Sequence, residues 1–164
     1  MLDLNLFTGS IGYIKLKASS FGFNIVVLIF NILGTAIVAL LTYFSTVDLN
    51  TNFQTKMALV LTSSNRVWFF AASFFCGAIM YLAVESYRRT KSPIGIAFLI
   101  PIFILSGFEH SIVNIYYCLA YFFANNFIVS DYITPLILVG LCLFGNIVGA
   151  IIARICSGNF EEEL

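Results

Sequence analysis

Charged residues are scarce in this chain, at 10% of its 164 residues, whereas soluble domains carry about a quarter. The 8 basic and 8 acidic residues give a formal net charge of zero, and no basic stripe indicates a nucleic-acid partner. The four cysteines form no CxxC pair, which argues against a disulfide framework or a zinc site. A single histidine leaves too few ligands for haem or a catalytic metal, so we predict no cofactor and no enzyme activity.

Hydrophobic residues are abundant, at 60% of the chain with a mean hydropathy of +0.99, and this predicts an all-α integral membrane protein. A helix needs about 20 mostly apolar residues to cross a bilayer. Three runs meet that length, 21–44, 67–84 and 133–155. A fourth run, 94–124, is broken at 106–110, and such a break is tolerated at membrane depth only where it lines a cavity or is packed by protein.

The first segment, 1–14, is too short to cross a membrane. Fourteen residues at a rise of about 1.5 Å reach about 21 Å, against a hydrocarbon core of about 30 Å. The segment contains the run Leu6–Ser10, where a helix could begin or break. We interpret 1–14 as half of a broken helix, and we expect the first helix and half of the second to be missing. If no helix is missing, a partner must surround Met1, because a charged amino terminus near the membrane midplane is costly.

Lysine and arginine predict the orientation, because cytoplasmic loops are enriched in both. If each span crosses once, six basic residues lie on one side and two on the other. The C-terminus is then cytoplasmic, and 158–164 is a solvated acidic tail. The six are Lys15, Lys17, Arg88, Arg89, Lys91 and Arg154, and the two are Lys56 and Arg66.

A short pattern occurs twice in the chain, as Asn31-Ile32-Leu33-Gly34 and as Asn146-Ile147-Val148-Gly149. Each copy follows a segment with a break, Phe7–Ile11 in the first case and Phe108–Ile112 in the second. The two copies run in opposite senses across the membrane. Inverted repeats with broken helices are a known transporter construction, with the site at the repeat interface near the midplane.

His110 and its neighbour Glu109 lie in the middle of the broken span, where ionisable residues are expensive. Histidine has a reference pKa of about 6.5, which suits proton exchange at physiological pH. For Glu109 we favour a structural role, since a carboxylate is stabilised near exposed helix N–H groups. The half-helix that starts near Ser111 should attract anions at its N-terminus, and Thr8 and Ser111 add hydroxyl donors.

Two further sets of residues surround the breaks. The phenylalanines could line a pore or simply pack, and the chain holds 18 of them. The asparagines are expected to donate interhelical hydrogen bonds more often than to bind a ligand. The first set is Phe7, Phe103 and Phe108, and the second is Asn31, Asn114 and Asn146.

The run Gly107–Asn114 resembles the GFEHSxxN signature of the formate–nitrite transporter family, and Leu6–Ser10 resembles that family's LFTx[SN] loop. The two Asn-x-x-Gly runs and Tyr81–Val84 are similar to further motifs of the family, in the same order. The resemblance implies an aquaporin-like inverted-repeat helix bundle with two broken helices. It also implies a homopentamer whose protomers have six helices, and this chain would lack the first of those helices and half of the second.

By resemblance, the chain passes small monovalent anions of weak acids, such as formate, nitrite or hydrosulfide, across the inner or plasma membrane with proton exchange. The pore residues implied are Leu6, Phe7, Thr8, Phe103, Phe108 and His110, supported by Asn31, Glu109, Ser111, Asn114 and Asn146. Asn5 stands where the family often has an acidic residue, and Gly77 where it often has asparagine. The alternative is a truncated, non-transporting fragment or an assembly subunit of such a channel.

Overall fold

The computed structural model describes residues 7–11, 18–45, 63–128 and 132–158. All regular structure in these ranges is helical, as the composition predicts. The helices are α1 (Phe7–Ser10), α2 (Ala18–Tyr43), α3 (Ser63–Thr90), α4 (Ile94–Leu105), α5 (Ser111–Ala124) and α6 (Ile133–Cys156). Leu6 and the acidic residues 161–163 lie outside the described residues, so the predictions made for them stay predictions.

Within the described ranges, three helices are long and apolar enough to cross a membrane, over Gly22–Tyr43, Asn65–Thr90 and Ile133–Cys156. The two shorter apolar helices, α4 with 12 residues and α5 with 14, follow each other in the chain. At about 1.5 Å per residue they reach about 18 and 21 Å, so neither crosses a bilayer alone. Large apolar side chains are exposed on every one of the longer helices, as expected for a multi-pass membrane protein whose solvent is lipid.

Helices α3 and α6 make the closest contact, and glycines permit it. A Cβ added to Gly149 would lie 1.9 Å from the carbonyl oxygen of Phe74, and one added to Gly77 would lie 2.0 Å from that of Asn146. Small residues at membrane helix interfaces let backbones approach in this way. This close approach brings Asn146 of α6 against the backbone of α3.

Side-chain hydrogen bonds also join neighbouring helices. The hydroxyl groups of Tyr81 in α3 and Ser157 after α6 lie 3.4 Å apart, and those of Thr42 in α2 and Tyr116 in α5 lie 2.9 Å apart. Gly145 lies against Ser73 and Gly149 against Phe74, so α3 and α6 run in the same direction and the basic residues in their last turns lie toward the same side of the bundle. Those residues are Arg88, Arg89 and Arg154.

Candidate functional site

The chain is interrupted between α4 and α5, across residues 106–110. Gly107 has φ +67°, a left-handed conformation that residues with a side chain rarely adopt, and it turns the backbone out of α4. The amide of Phe108 still donates to the carbonyl of Phe103, at 3.3 Å, so the turn stays close to the end of α4. His110 is extended, with φ −100° and ψ 126°, and α5 begins at the next residue. The interruption therefore delivers His110 to the interior as the last residue before a helix.

His110 meets Thr8 inside the bundle. The Nε2 atom of His110 lies 2.9 Å from Oγ1 of Thr8, which is 102 residues away in the sequence. Thr8 is fully buried and His110 is 7% exposed. Either atom can be the donor, depending on the tautomer of the imidazole. The contact thus joins the two segments that the sequence predicts to be breaks, and it places a group that can exchange a proton beside a hydroxyl.

The predicted phenylalanines have different surroundings. The ring of Phe103 lies beside that of His110, with 5.9 Å between ring centroids. The ring of Phe108 stacks on Phe75 of α3, at 5.6 Å. Phe7 is 4% exposed and belongs to the main apolar core. Of these three, Phe103 is the one in ring contact with the histidine. Phe75 was not singled out in the sequence, where nothing separates it from the other phenylalanines.

Asn146 holds the start of α5 in place. Its Oδ1 accepts a hydrogen bond of 2.9 Å from the amide of Ser111, the first residue of α5. Its Nδ2 donates to the carbonyls of Glu109, at 2.9 Å, and of Ser73 in α3, at 2.7 Å. One side chain therefore satisfies backbone groups on both sides of His110 and ties them to α3. The amide of Ser111, which the sequence suggests as an anion donor, is bonded to Asn146.

Glu109 is buried, at 6% exposure, and points toward α5 and α6. Its Oε2 accepts a hydrogen bond of 2.9 Å from Nδ2 of Asn114, a side-chain donor on α5. The thiol of Cys142 lies 3.3 Å from both that Nδ2 and the Glu109 carbonyl oxygen. Cys142 was missed in the sequence, although it lies four residues before Asn146 and so on the same face of α6.

Asn31 repeats part of this arrangement in the first half of the chain. Its Oδ1 accepts a hydrogen bond of 3.2 Å from the amide of Phe7, the first residue of α1. In both halves, then, the asparagine of an Asn-Ile-x-Gly run bonds the first amide of a short helix. This correspondence pairs Phe7 with Ser111, whereas the sequence motifs pair Phe7 with Phe108.

These contacts outline a membrane helix bundle with a buried, polar helix interruption and a histidine at its centre. A protein-family model, described as formate/nitrite transporter, matches residues 2–157 of the 164-residue chain. The chain therefore belongs to the formate/nitrite transporter family, whose members are membrane transporters. A search of curated proteins and a search of solved structures gave no significant match. Among the described residues, no three His, Cys, Asp or Glu side chains are grouped so that they could hold a metal ion.

Proposed function

We propose that the chain passes small monovalent anions of weak acids, such as formate, nitrite or hydrosulfide, and that His110 exchanges a proton with them. The buried contact between His110 Nε2 and Thr8 Oγ1 is the observation that carries this proposal. It places a titratable group and a hydroxyl, both of which can bond an oxyanion or a thiol anion, at the meeting point of two interrupted segments. Ionisable residues at membrane depth commonly mark a substrate or proton pathway.

In the proposed mechanism, Thr8 and His110 have different roles. An anion that reaches Thr8 accepts a hydrogen bond from its hydroxyl, and His110 either lends it a proton or stabilises it as imidazolium. A neutral acid crosses apolar constrictions more easily than a charged anion does, because the anion would lose its hydration there. Phe103, beside the imidazole, is suited to form one such constriction, and by resemblance Leu6, Phe7 and Phe108 form the other parts.

The assembly and orientation that we propose follow from resemblance and from charge. The family resemblance implies a homopentamer with a separate pore in each protomer. The excess of lysine and arginine on one side implies a cytoplasmic C-terminus. The C-terminal ends of α3 and α6, which carry Arg88, Arg89 and Arg154, would then face the cytoplasm.

A second candidate is a non-transporting subunit or fragment, and one observation favours it. Between α2 and α5 lies an apolar groove of about 480 Å³, whose lining includes Asn31, Gly34 and Tyr116. A Cβ added to Gly34 would meet no atom within 4 Å in the part of the chain that the structure describes. An open face of this kind suits a chain that works only when a further helix covers it.

Transport in proteoliposomes distinguishes the two candidates. We expect an inward gradient of formate, nitrite or hydrosulfide to change the internal pH, and the flux to rise as the pH falls, because protonated His110 becomes more abundant. His110→Ala should lower the flux at least about tenfold, which corresponds to about 1.4 kcal/mol of barrier, and should flatten its pH dependence. No flux from verified, correctly inserted wild-type protein would contradict transport by this chain and favour the subunit.

Thr8→Val tests the hydroxyl at nearly constant volume. We expect about a fivefold loss of flux, the equivalent of one hydrogen bond of about 1 kcal/mol. Thr35→Val is the matched control, because the Thr35 hydroxyl donates to Ile32 in its own helix, at 2.8 Å. An equal loss in both variants would show that the effect comes from threonine in a membrane helix and not from the contact with His110.

A further inference from the structure

Three buried polar atoms at the start of α5 have no hydrogen-bond partner within the part of the chain that the structure describes: Nδ1 of His110, Oγ of Ser111 and Oδ1 of Asn114. Ser111 and Asn114 are fully buried, and His110 is 7% exposed. Buried polar atoms in folded proteins are nearly always bonded to protein or to ordered water, because an unbonded one loses its hydration without compensation. A small bonding group is therefore expected among these three residues.

The contacts of Asn114 define the orientation of its side-chain amide. Its Nδ2 donates to the Glu109 carboxylate and lies against the thiol of Cys142. The reverse orientation would place Oδ1 against the carboxylate, where two acceptors repel each other. Oδ1 therefore lies on the side of the amide away from Glu109, as an acceptor that needs a donor.

Ser111 is placed to supply a complementary group. It lies three residues before Asn114 on α5, so the two side chains are neighbours on one face of the helix. The serine hydroxyl can donate, and Asn114 Oδ1 can only accept. They make no direct bond, and His110 comes next to Ser111 in the chain.

The imidazole of His110 contributes the third unbonded atom, Nδ1. Its Nε2 is engaged with Thr8. Nε2 is the one hydrogen-bond partner of the Thr8 hydroxyl among the described residues, so that hydroxyl donates to Nε2. The neutral ring then carries its proton on Nδ1, and that N–H must find an acceptor. A water molecule can accept from Nδ1–H and from the Ser111 hydroxyl while it donates to Asn114 Oδ1. Three bonds of this kind are typical of buried water.

We infer that one ordered water molecule binds between Nδ1 of His110, Oγ of Ser111 and Oδ1 of Asn114, and that it accepts the Nδ1 proton of a neutral imidazole whose Nε2 accepts from Thr8. Nε2 is then the nitrogen that gains and loses a proton, on the side of Thr8. The water site stands on the three atoms alone, whereas its part in proton exchange rests on the proposed function. Ser111 and Asn114 act as positioning residues, since they act on the substrate only through His110.

The single histidine of the chain makes this inference directly measurable. Protein labelled with nitrogen-15 histidine and reconstituted in lipid gives one imidazole spin system by nuclear magnetic resonance. At a pH where the ring is neutral, we expect a protonated Nδ1, an unprotonated Nε2 and a cross-peak between the Nδ1 proton and water. A neutral ring protonated on Nε2, or an Nδ1 proton without water contact, would overturn the inference.

Variants show whether the two positioning residues hold the water. Ser111→Ala should abolish the water cross-peak and give a mixture of tautomers, and Ser111→Thr, which keeps the hydroxyl, should restore both signals. Ser73→Ala is the matched control, because that buried hydroxyl already donates to Phe69, at 2.8 Å. A Ser111→Ala spectrum identical to that of wild type would overturn the assignment.

The outcome is separable from that of the transport experiment. Wild-type protein that transports anions but carries its neutral proton on Nε2 would overturn the inference and leave the proposed function. Protein with the expected tautomer and water contact but no flux would support the site and remove its part in transport. The wild-type spectrum decides the first question even if a variant fails to fold.

Discussion

Helices α2 and α6 each contain an Asn-Ile-x-Gly run, at Asn31–Gly34 in the first and at Asn146–Gly149 in the second. The asparagine has the same task in both, since its Oδ1 accepts the first backbone amide of a short helix, from Phe7 in one half and from Ser111 in the other. Helix starts have amides without intrahelical partners, and an asparagine on a crossing helix satisfies one of them without water.

The glycines of the two runs differ. A Cβ on Gly149 would lie 1.9 Å from the backbone of Phe74, whereas a Cβ on Gly34 would meet none of the described residues within 4 Å. The window of α2 that is long enough to span a membrane is 11% buried, against 33% for that of α6. The hydrogen bond of the asparagine therefore requires only that a short helix begins nearby. The glycine takes part in helix packing only where a second long helix crosses, as α3 does at Gly149.

Alanine at the two glycines should give the largest difference. Gly149→Ala must push α6 away from α3, and we expect it to lower the free energy of unfolding by about 3 kcal/mol, as overpacking in a rigid interface does. Gly34→Ala should be neutral or stabilise by up to about 1 kcal/mol, because alanine favours the helix. The readout is heating in detergent with a thiol-reactive dye that labels Cys76, Cys118 and Cys142 as they become exposed.

This measurement needs a background without the exposed thiol, Cys156→Ser, so that labelling reports only buried cysteines. Equal losses of stability in the two alanine variants would contradict the difference in packing between α2 and α6. That result would mean that the groove at Gly34 is filled in the folded protein.

Leucine at the two asparagines should give the next largest difference. Asn146→Leu removes the partner of the Ser111 amide and of the Glu109 carbonyl, and we expect a loss of about 2 kcal/mol, since each stranded buried group costs about 1–3 kcal/mol. Asn31→Leu should cost about 1 kcal/mol, for the amide of Phe7. Thermal labelling of the buried cysteines measures both, and a larger loss at Asn31 would reverse the ranking of the two helices.

The parts of this site that depend on local chemistry can be predicted from the sequence. The break at 106–110 follows from Gly107 and from the polar run within an apolar span, and the left-handed φ of Gly107 agrees with it. Asn146 donates an interhelical hydrogen bond, as expected for a polar residue in a membrane helix, whereas the side chain of Asn31 accepts one from Phe7. These inferences need only the residue type and its neighbours in the chain.

The remaining contacts depend on how helices that are far apart in the sequence cross one another. No local sequence pattern predicts those crossings. Ser73 enters the site only through its carbonyl, a group that every residue has, and it does so because glycines bring α3 close to α6. The side chain of Cys142 looks like any small apolar residue until Glu109 and Asn114 are placed against it. With 18 phenylalanines in the chain, the sequence also does not single out Phe75 as the partner of the loop.

The position four residues before each asparagine gives a smaller difference. It is Cys142 in α6 and Val27 in α2, and both are buried. Cys142→Val keeps the volume nearly constant but removes a thiol from the Glu109 carbonyl, and we expect a loss of about 1 kcal/mol. Val27→Cys should change stability by less than about 0.5 kcal/mol. Calorimetry suits this pair, because the substitutions alter the number of thiols, and equal losses would contradict a bonding role for Cys142.

A difference of similar size is expected one residue before each asparagine, at Phe30 in α2 and Gly145 in α6. Phe30 is 66% exposed and lines the groove, so Phe30→Ala should change the free energy of unfolding by less than about 0.5 kcal/mol. Gly145→Ala brings a Cβ to 2.6 Å from that of Ser73 and should cost about 1 kcal/mol. Thermal labelling measures both. A loss above about 1 kcal/mol for Phe30→Ala would mean that another helix covers α2, since lipid replaces a lost ring at little cost whereas a packed helix does not.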